Sequence, residues 1–180
     1  MSSGIRMAKV AKIGEMFFPL DLHYSHNKRG HTWVKKMDDG NLQIGLDYYG
    51  AIPMMITTVT HPLPYVIELP PAGTQLKQDQ PYGLLETVKY IGPFYAPLTG
   101  TVVKVNPDRI SSPPHNIKNP YIDGWFLILK PENYEKELKN LLTGEEAVKW
   151  VIKDIIEYSE AEDEELTEQA KKGYTIEEME

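Results

Sequence analysis

Few side chains in this sequence are arranged for chemistry, and one lysine stands apart from the rest. The run Gly83-Leu84-Leu85-Glu86-Thr87-Val88-Lys89-Tyr90-Ile91-Gly92-Pro93 sets Lys89 between two apolar stretches, just ahead of a Gly-Pro break. Residues in that order suit the tip of a hairpin, with the amine projecting into solvent. Such a lysine is either an ordinary surface residue at a turn or the attachment point of a covalent group. Other chemistry finds little footing. There is no Gly-rich phosphate loop, no G-x-S-x-G and no H-E-x-x-H. His23, His26 and His31 are neighbours in sequence, but the intervening Lys28-Arg29-Gly30 offers no helical face on which metal ligands could converge. Exposed or hydrogen-bonded histidines are therefore expected, and no metal. Hydrolysis around His115 and Asp123 would lack a base-and-nucleophile pair. The chain has no cysteine. Thiolate nucleophiles, disulfides and Cys-based metal sites are excluded together, and any thiol chemistry must come from an attached group.

The elements around Lys89 read as short strands. His31 to Lys36, Leu42 to Gly45, Tyr65 to Leu69, Leu84 to Val88, Thr101 to Val105 and Trp125 to Leu129 are β-branched, aromatic and aliphatic runs. Turn residues punctuate them: Asp38-Asp39-Gly40, Pro70-Pro71-Ala72-Gly73 and Pro97-Leu98-Thr99-Gly100. This spacing predicts a small sandwich or barrel. After Lys130 the period shifts to that of helices. Pro131 reads as the first residue of a helix carrying Tyr134, Leu138, Leu141 and Leu142 on one stripe. Thr143 and Glu146 read as a capping box ahead of a second helix, whose stripe is Val148, Val151, Ile152, Ile155 and Ile156.

Of 180 residues, 41% are hydrophobic and 25% charged, a globular composition. The net charge of −7 is concentrated in residues 160–180, where nine acids face two lysines and leave a neutral body. That balance argues against nucleic acid, which needs clustered Lys and Arg. Beyond Tyr158 the apolar residues thin out, and a solvated, partly helical tail is expected. No apolar run approaches a spanning helix, and Lys9 and Lys12 interrupt any signal-like region, so a cytoplasmic protein without membrane contact is expected.

The residues together resemble a known family, the H protein of the glycine cleavage system. The resemblance is carried by Leu69-Pro70, Gly73, Pro81-Tyr82-Gly83, Glu86-Thr87-Val88-Lys89, Ala96-Pro97, Gly100, Val105-Asn106, Pro113, Pro120-Tyr121 and Gly124-Trp125. His31-Thr32-Trp33, Gly40 and Gly45 resemble its opening strands. Single elements are weak; their joint spacing is specific. The resemblance implies a mainly β fold with C-terminal helices, a barrel-sandwich hybrid of two small antiparallel sheets. It implies an N-terminal extension over 1–22, a lipoyl domain with C-terminal helices over 23–159, and an acidic tail over 160–180. It further implies lipoate carried covalently on Lys89, with Glu86, Gly83 and Gly100 helping a lipoate ligase or lipoyl transferase recognise the site. The protein would then be a carrier without turnover of its own.

The chain departs from the family pattern in two places. The stretch Tyr48 to Pro64 is longer, and Tyr90 and Pro93 stand where a small residue and an acid are usual. Because these changes cluster near the arm, the sequence leans toward H-like lipoate-binding proteins of sulfur oxidation, which work with heterodisulfide-reductase-like complexes. The alternative is the aminomethyl carrier that serves glycine decarboxylase, aminomethyltransferase and dihydrolipoyl dehydrogenase. A third reading is a non-lipoylated interaction protein that keeps the fold with Lys89 unmodified.

Overall fold

The computed structural model describes residues 8–55, 65–88, 90–111, 114–159 and 163–179. Its strands are β1 (Ala8–Ile13), β2 (Met16–Pro19), β3 (His23–Ser25), β4 (Thr32–Lys36), β5 (Leu42–Leu46), β6 (Tyr65–Glu68), β7 (Gln75–Leu76), β8 (Pro81–Thr87), β9 (Ile91–Tyr95), β10 (Gly100–Val105), β11 (Trp125–Pro131), β12 (Leu142–Thr143) and β13 (Thr175–Met179). The helices are α1 (Tyr48–Ala51), α2 (Pro107–Ile110), α3 (Tyr134–Glu137), α4 (Gly144–Tyr158) and α5 (Glu164–Lys171). The protein is mainly β with C-terminal helices, and every strand pairing between these elements described below is antiparallel.

The chain divides into two compact units, Tyr24–Leu141 and a second made of 1–23 with 142–180. In the first unit one sheet runs in the order β3-β4-β5-β11-β10-β7 and another in the order β6-β8-β9. These are the two small sheets expected from the sequence. Between them alternating residues form one apolar cluster that includes Val34, Ile44, Tyr65, Ile67, Leu85, Phe94, Val102, Phe126 and Leu129. Phe94 and Phe126 meet edge to face at 4.9 Å, so rings from the two sheets interlock.

Turn chemistry sets the strand registers. The β4–β5 hairpin closes where the Asp39 carboxylate accepts the Asn41 N–H at 2.9 Å and Gly40 takes φ +84°. Asp47, buried, caps α1 by accepting the Gly50 N–H at 2.8 Å, and its other oxygen meets His31 Nδ1 at 2.8 Å. His31 is thus a hydrogen-bonded histidine, as expected. The first part of the longer stretch is core: Ala51 and Met54 are fully buried, and Met55 bridges Ile117. Residues 56–64 lie outside the described ones.

The second unit corrects several expectations. β1 pairs with β2 and with β13, so both chain ends contribute to one sheet, a third beyond the two expected. The acidic tail is therefore folded. Pairing through backbone hydrogen bonds needs no apolar side chains on β13, and Lys9 and Lys12 of β1 lie opposite or beside Glu178 and Glu177. No helix begins at Pro131, which ends β11; α3 starts at Tyr134 and passes into a 3-10 turn over Leu138–Asn140. Thr143 is the N-cap of α4, yet its hydroxyl donates to the Leu22 carbonyl at 2.7 Å and the capping box does not form. The buried face of α4 is Ala147, Val148, Val151, Asp154 and Ile155, while Ile156 is exposed.

Candidate functional site

The β8–β9 hairpin places the segment that the sequence singles out. Thr87 N–H donates to the Tyr90 carbonyl at 2.7 Å, and Tyr90 N–H donates to Thr87 Oγ1 at 3.0 Å, closing the turn one residue to either side of the pair 88–89. Lys89 itself lies outside the described residues. Its neighbours Val88 and Tyr90 are 68% and 52% exposed, so both flanks of position 89 face solvent. An amide-linked arm and a modifying enzyme fit such a tip. Buried surroundings would not admit them.

Glu86 lies on the outer face of this sheet, in a cross-strand row with Val66 and Ile91. Val66 and Ile91 are 56% and 66% exposed. The outer face therefore sets the Glu86 carboxylate between exposed aliphatic side chains, three residues before the lysine, with Glu68 further down the same face of β6. Gly83 and Gly100 have steric reasons to be glycine. A Cβ on Gly83 would stand 2.4 Å from the Glu68 carbonyl, and one on Gly100 would stand 2.3 Å from the Lys130 carbonyl. Both therefore hold strands close together, Gly83 on the hairpin itself and Gly100 at the pairing of β10 with β7 and β11.

Tyr90 and Pro93 alter the surroundings of position 89. The Tyr90 phenol folds back over Gly92, where any side chain would collide with it. Pro93 is exposed on the outer face, opposite Leu84. The other candidate residues do not gather here. His115 Nδ1 meets the exposed Asp108 carboxylate at 3.2 Å, whereas Asp123 accepts the Lys118 and Asn119 N–H groups at 2.9 and 2.6 Å. The two form no dyad. Among the described residues no group of three or more His, Asp or Glu side chains is placed to hold a metal ion, and no helix is long and apolar enough to cross a membrane.

Sequence reasoning passed over one feature near the hairpin. Tyr65 of β6 pairs with Thr87 at the foot of the turn, and its hydroxyl donates to the His115 carbonyl and accepts from Nη1 of Arg109 at 3.1 Å. Arg109 is 1% exposed. An arginine in the run Asn106-Pro107-Asp108-Arg109 reads as a surface turn residue, and only the fold reveals its burial.

Comparison with known proteins bears on this geometry. A model of the glycine cleavage H-protein family matches residues 22–155. The glycine cleavage system H protein of Oceanobacillus iheyensis is 37% identical over 130 residues, covering 72% of this chain and 94% of that protein. The glycine cleavage system H protein 2 of Aquifex aeolicus is 33% identical over 171 residues, covering 92% of this chain and 98% of that one. A crystal structure of a glycine cleavage system H protein from Mycobacterium marinum superposes with a TM-score of 0.54 at 22% identity, covering 73% of this chain and 96% of its own. The lean toward sulfur oxidation finds no support among these relatives, whose names agree with the glycine-cleavage alternative.

Proposed function

The chain belongs to the glycine cleavage H-protein family, a family of lipoyl carriers, and from that premise we propose that it carries an aminomethyl group on a lipoyl arm attached to Lys89. The observation that carries the reading is the β8–β9 turn, closed between Thr87 and Tyr90 with both flanks of position 89 open to solvent. When bound, the lipoyl group would supply a disulfide that accepts the one-carbon amine, one sulfur bonding the carbon as the S–S bond breaks and the other leaving as a thiol, and the dithiol left after the one-carbon unit passes on is reoxidised by thiol–disulfide exchange.

The protein's own residues present, shape and expose. The hairpin leaves Val88 and Tyr90 exposed on either side of position 89, so that partner active sites can reach an arm hung between them. Glu86, on the outer face, gives the lipoate ligase or lipoyl transferase a charge to recognise at a fixed offset from the lysine. Gly83 keeps the backbone approach that fixes the hairpin against β6, and Gly100 keeps the approach of β10 to β11 in the other sheet. No base, nucleophile or metal is needed on the carrier, since bond-making belongs to glycine decarboxylase, aminomethyltransferase and dihydrolipoyl dehydrogenase.

The test is intact-mass measurement after expression in a lipoate-competent host. One lipoyl amide is expected, localised to the Lys89 peptide and abolished in Lys89→Arg. Glu86→Ala should slow modification while leaving the melting temperature nearly unchanged, because the side chain is exposed. Incubating the lipoylated protein, its dithiolane kept in the oxidised disulfide form, with glycine and glycine decarboxylase should then add an aminomethyl mass to the same peptide. Unmodified protein, or a label on another lysine, would overturn the carrier reading. A lipoylated protein that refuses the aminomethyl group would overturn only the cargo.

A further inference from the structure

At the foot of the hairpin lies a buried positive charge that carrier chemistry does not use. Arg109 sits on α2 with 1% of its surface exposed. Its Nη1 donates to the Tyr65 hydroxyl at 3.1 Å, and its Nε has no hydrogen-bond partner. Among the described residues no carboxylate forms an ion pair with it. The nearest in sequence, Asp108, has a half-exposed side chain and is met instead by His115 Nδ1 at 3.2 Å. A guanidinium is ionised at any pH a protein survives, and withdrawing it from water costs several kcal/mol unless an anion compensates. One neutral hydrogen bond to a phenol does not compensate a full charge.

The group is also well placed. Tyr65 pairs with Thr87 across the β6–β8 ladder, two residues before Lys89.

We propose that Arg109 and Tyr65 form a binding site for a small oxyanion at the foot of the β8–β9 hairpin. The anion's oxygens would accept from the free Nε–H, and from the Tyr65 hydroxyl once that hydroxyl releases the His115 carbonyl. Planar guanidinium donors suit two oxygens of one anion, which an isolated lysine would not. The binding does not depend on what the arm carries. It has a consequence for the reading above: an empty site repels a cationic aminomethyl group brought close to it, and an occupied one does not.

Sulfate serves as the probe, against chloride at matched ionic strength, in four full-length proteins: the lipoylated chain, its Arg109→Met variant, Lys89→Arg, and Lys89→Arg with Arg109→Met. The Lys89→Arg background has no arm, so a failure of lipoylation cannot be mistaken for a failure of this site. In chloride, Arg109→Met should melt no lower than its parent, since it removes an uncompensated buried charge at similar volume. In sulfate the Arg109 proteins should gain about 3 °C or more beyond the gain of the methionine variants, which report the general salting effect. The Arg109 Nε–H resonance should move and saturate as sulfate is added. A sulfate gain equal in all four proteins, or an Nε–H resonance that stays still, would overturn the proposal. Saturation in Lys89→Arg but not in the lipoylated protein would mean that the arm occupies the site, and would overturn its assignment to a free anion.

Discussion

A buried and a partly buried tyrosine with opposite hydrogen-bonding states show how individual residues divide the work of stability. Tyr82 is buried against Phe94 at a ring separation of 5.8 Å, and its hydroxyl has no partner. Tyr121 accepts the Tyr48 N–H at 3.1 Å. Removing an unpartnered buried hydroxyl returns its desolvation penalty, whereas removing a partnered one strands an amide. Tyr82→Phe should therefore be neutral or stabilising by up to about 1 kcal/mol, and Tyr121→Phe should cost about 1 kcal/mol or more in urea melts. Burial pushes both phenols well above their ordinary pKa near 10, so the folded protein keeps two protons that the unfolded chain releases. Stability is then full below about pH 10 and falls as pH rises past it. The alkaline decline should be shallower in Tyr82→Phe than in the parent, and equal slopes would contradict it. At this scale the sequence disclosed Lys89 and Glu86 because a spacing marked them. It could not disclose Tyr82, Arg109 or the His31–Asp47 pair, whose roles come from burial and from partners many residues away.

Elements were legible where side-chain pattern dictates them. The six strand runs read from the sequence correspond to β4, β5, β6, β8, β10 and β11. β9 was obscured because Gly92-Pro93 reads as a break, although an edge strand accepts a proline that donates nothing to the ladder. The start of α4 shows how a correct position can conceal a wrong interaction. Thr143 is the N-cap, but its hydroxyl is given to the Leu22 carbonyl, and first-turn Glu145 is taken by the Tyr174 hydroxyl. A capping box would make Thr143 and Glu146 equally important. The observed bonds predict a difference: Thr143→Ala should cost about 1 kcal/mol and Thr143→Ser much less, while Glu146→Ala should fall within about 0.5 kcal/mol of the parent. A loss from Glu146→Ala as large as that from Thr143→Ala would restore the capping box.

On the scale of the molecule, the matched family region and the chain ends follow different logics. The family model covers 22–155, whereas β1, β2 and β13 lie outside it and α5 does too. The tail's composition suggested a solvated appendage, because composition registers apolar content and is blind to backbone pairing. In the structure five residues of β13 pair with β1, Gln169 lies against Gly14, and Ala170 is 1% exposed. Truncation after Ser159 should therefore cost about 2 kcal/mol or more, taking several ladder bonds at about 0.5–1.5 kcal/mol each. It should leave Lys89 a substrate for lipoylation, because the hairpin and its apolar cluster lie wholly within Tyr24–Leu141. Charge is the competing explanation, since the acidic tail meets lysines of β1. But the Lys12–Glu177 pair is 2.9 Å long with both side chains more than a third exposed, and such pairs contribute little. Molar sodium chloride screens exposed pairs and spares backbone bonds. The full-length protein should accordingly keep its melting temperature within a few degrees as salt rises, while the truncated protein melts lower at every salt concentration. A large salt-induced drop that brings the two together would make the tail's attachment electrostatic instead.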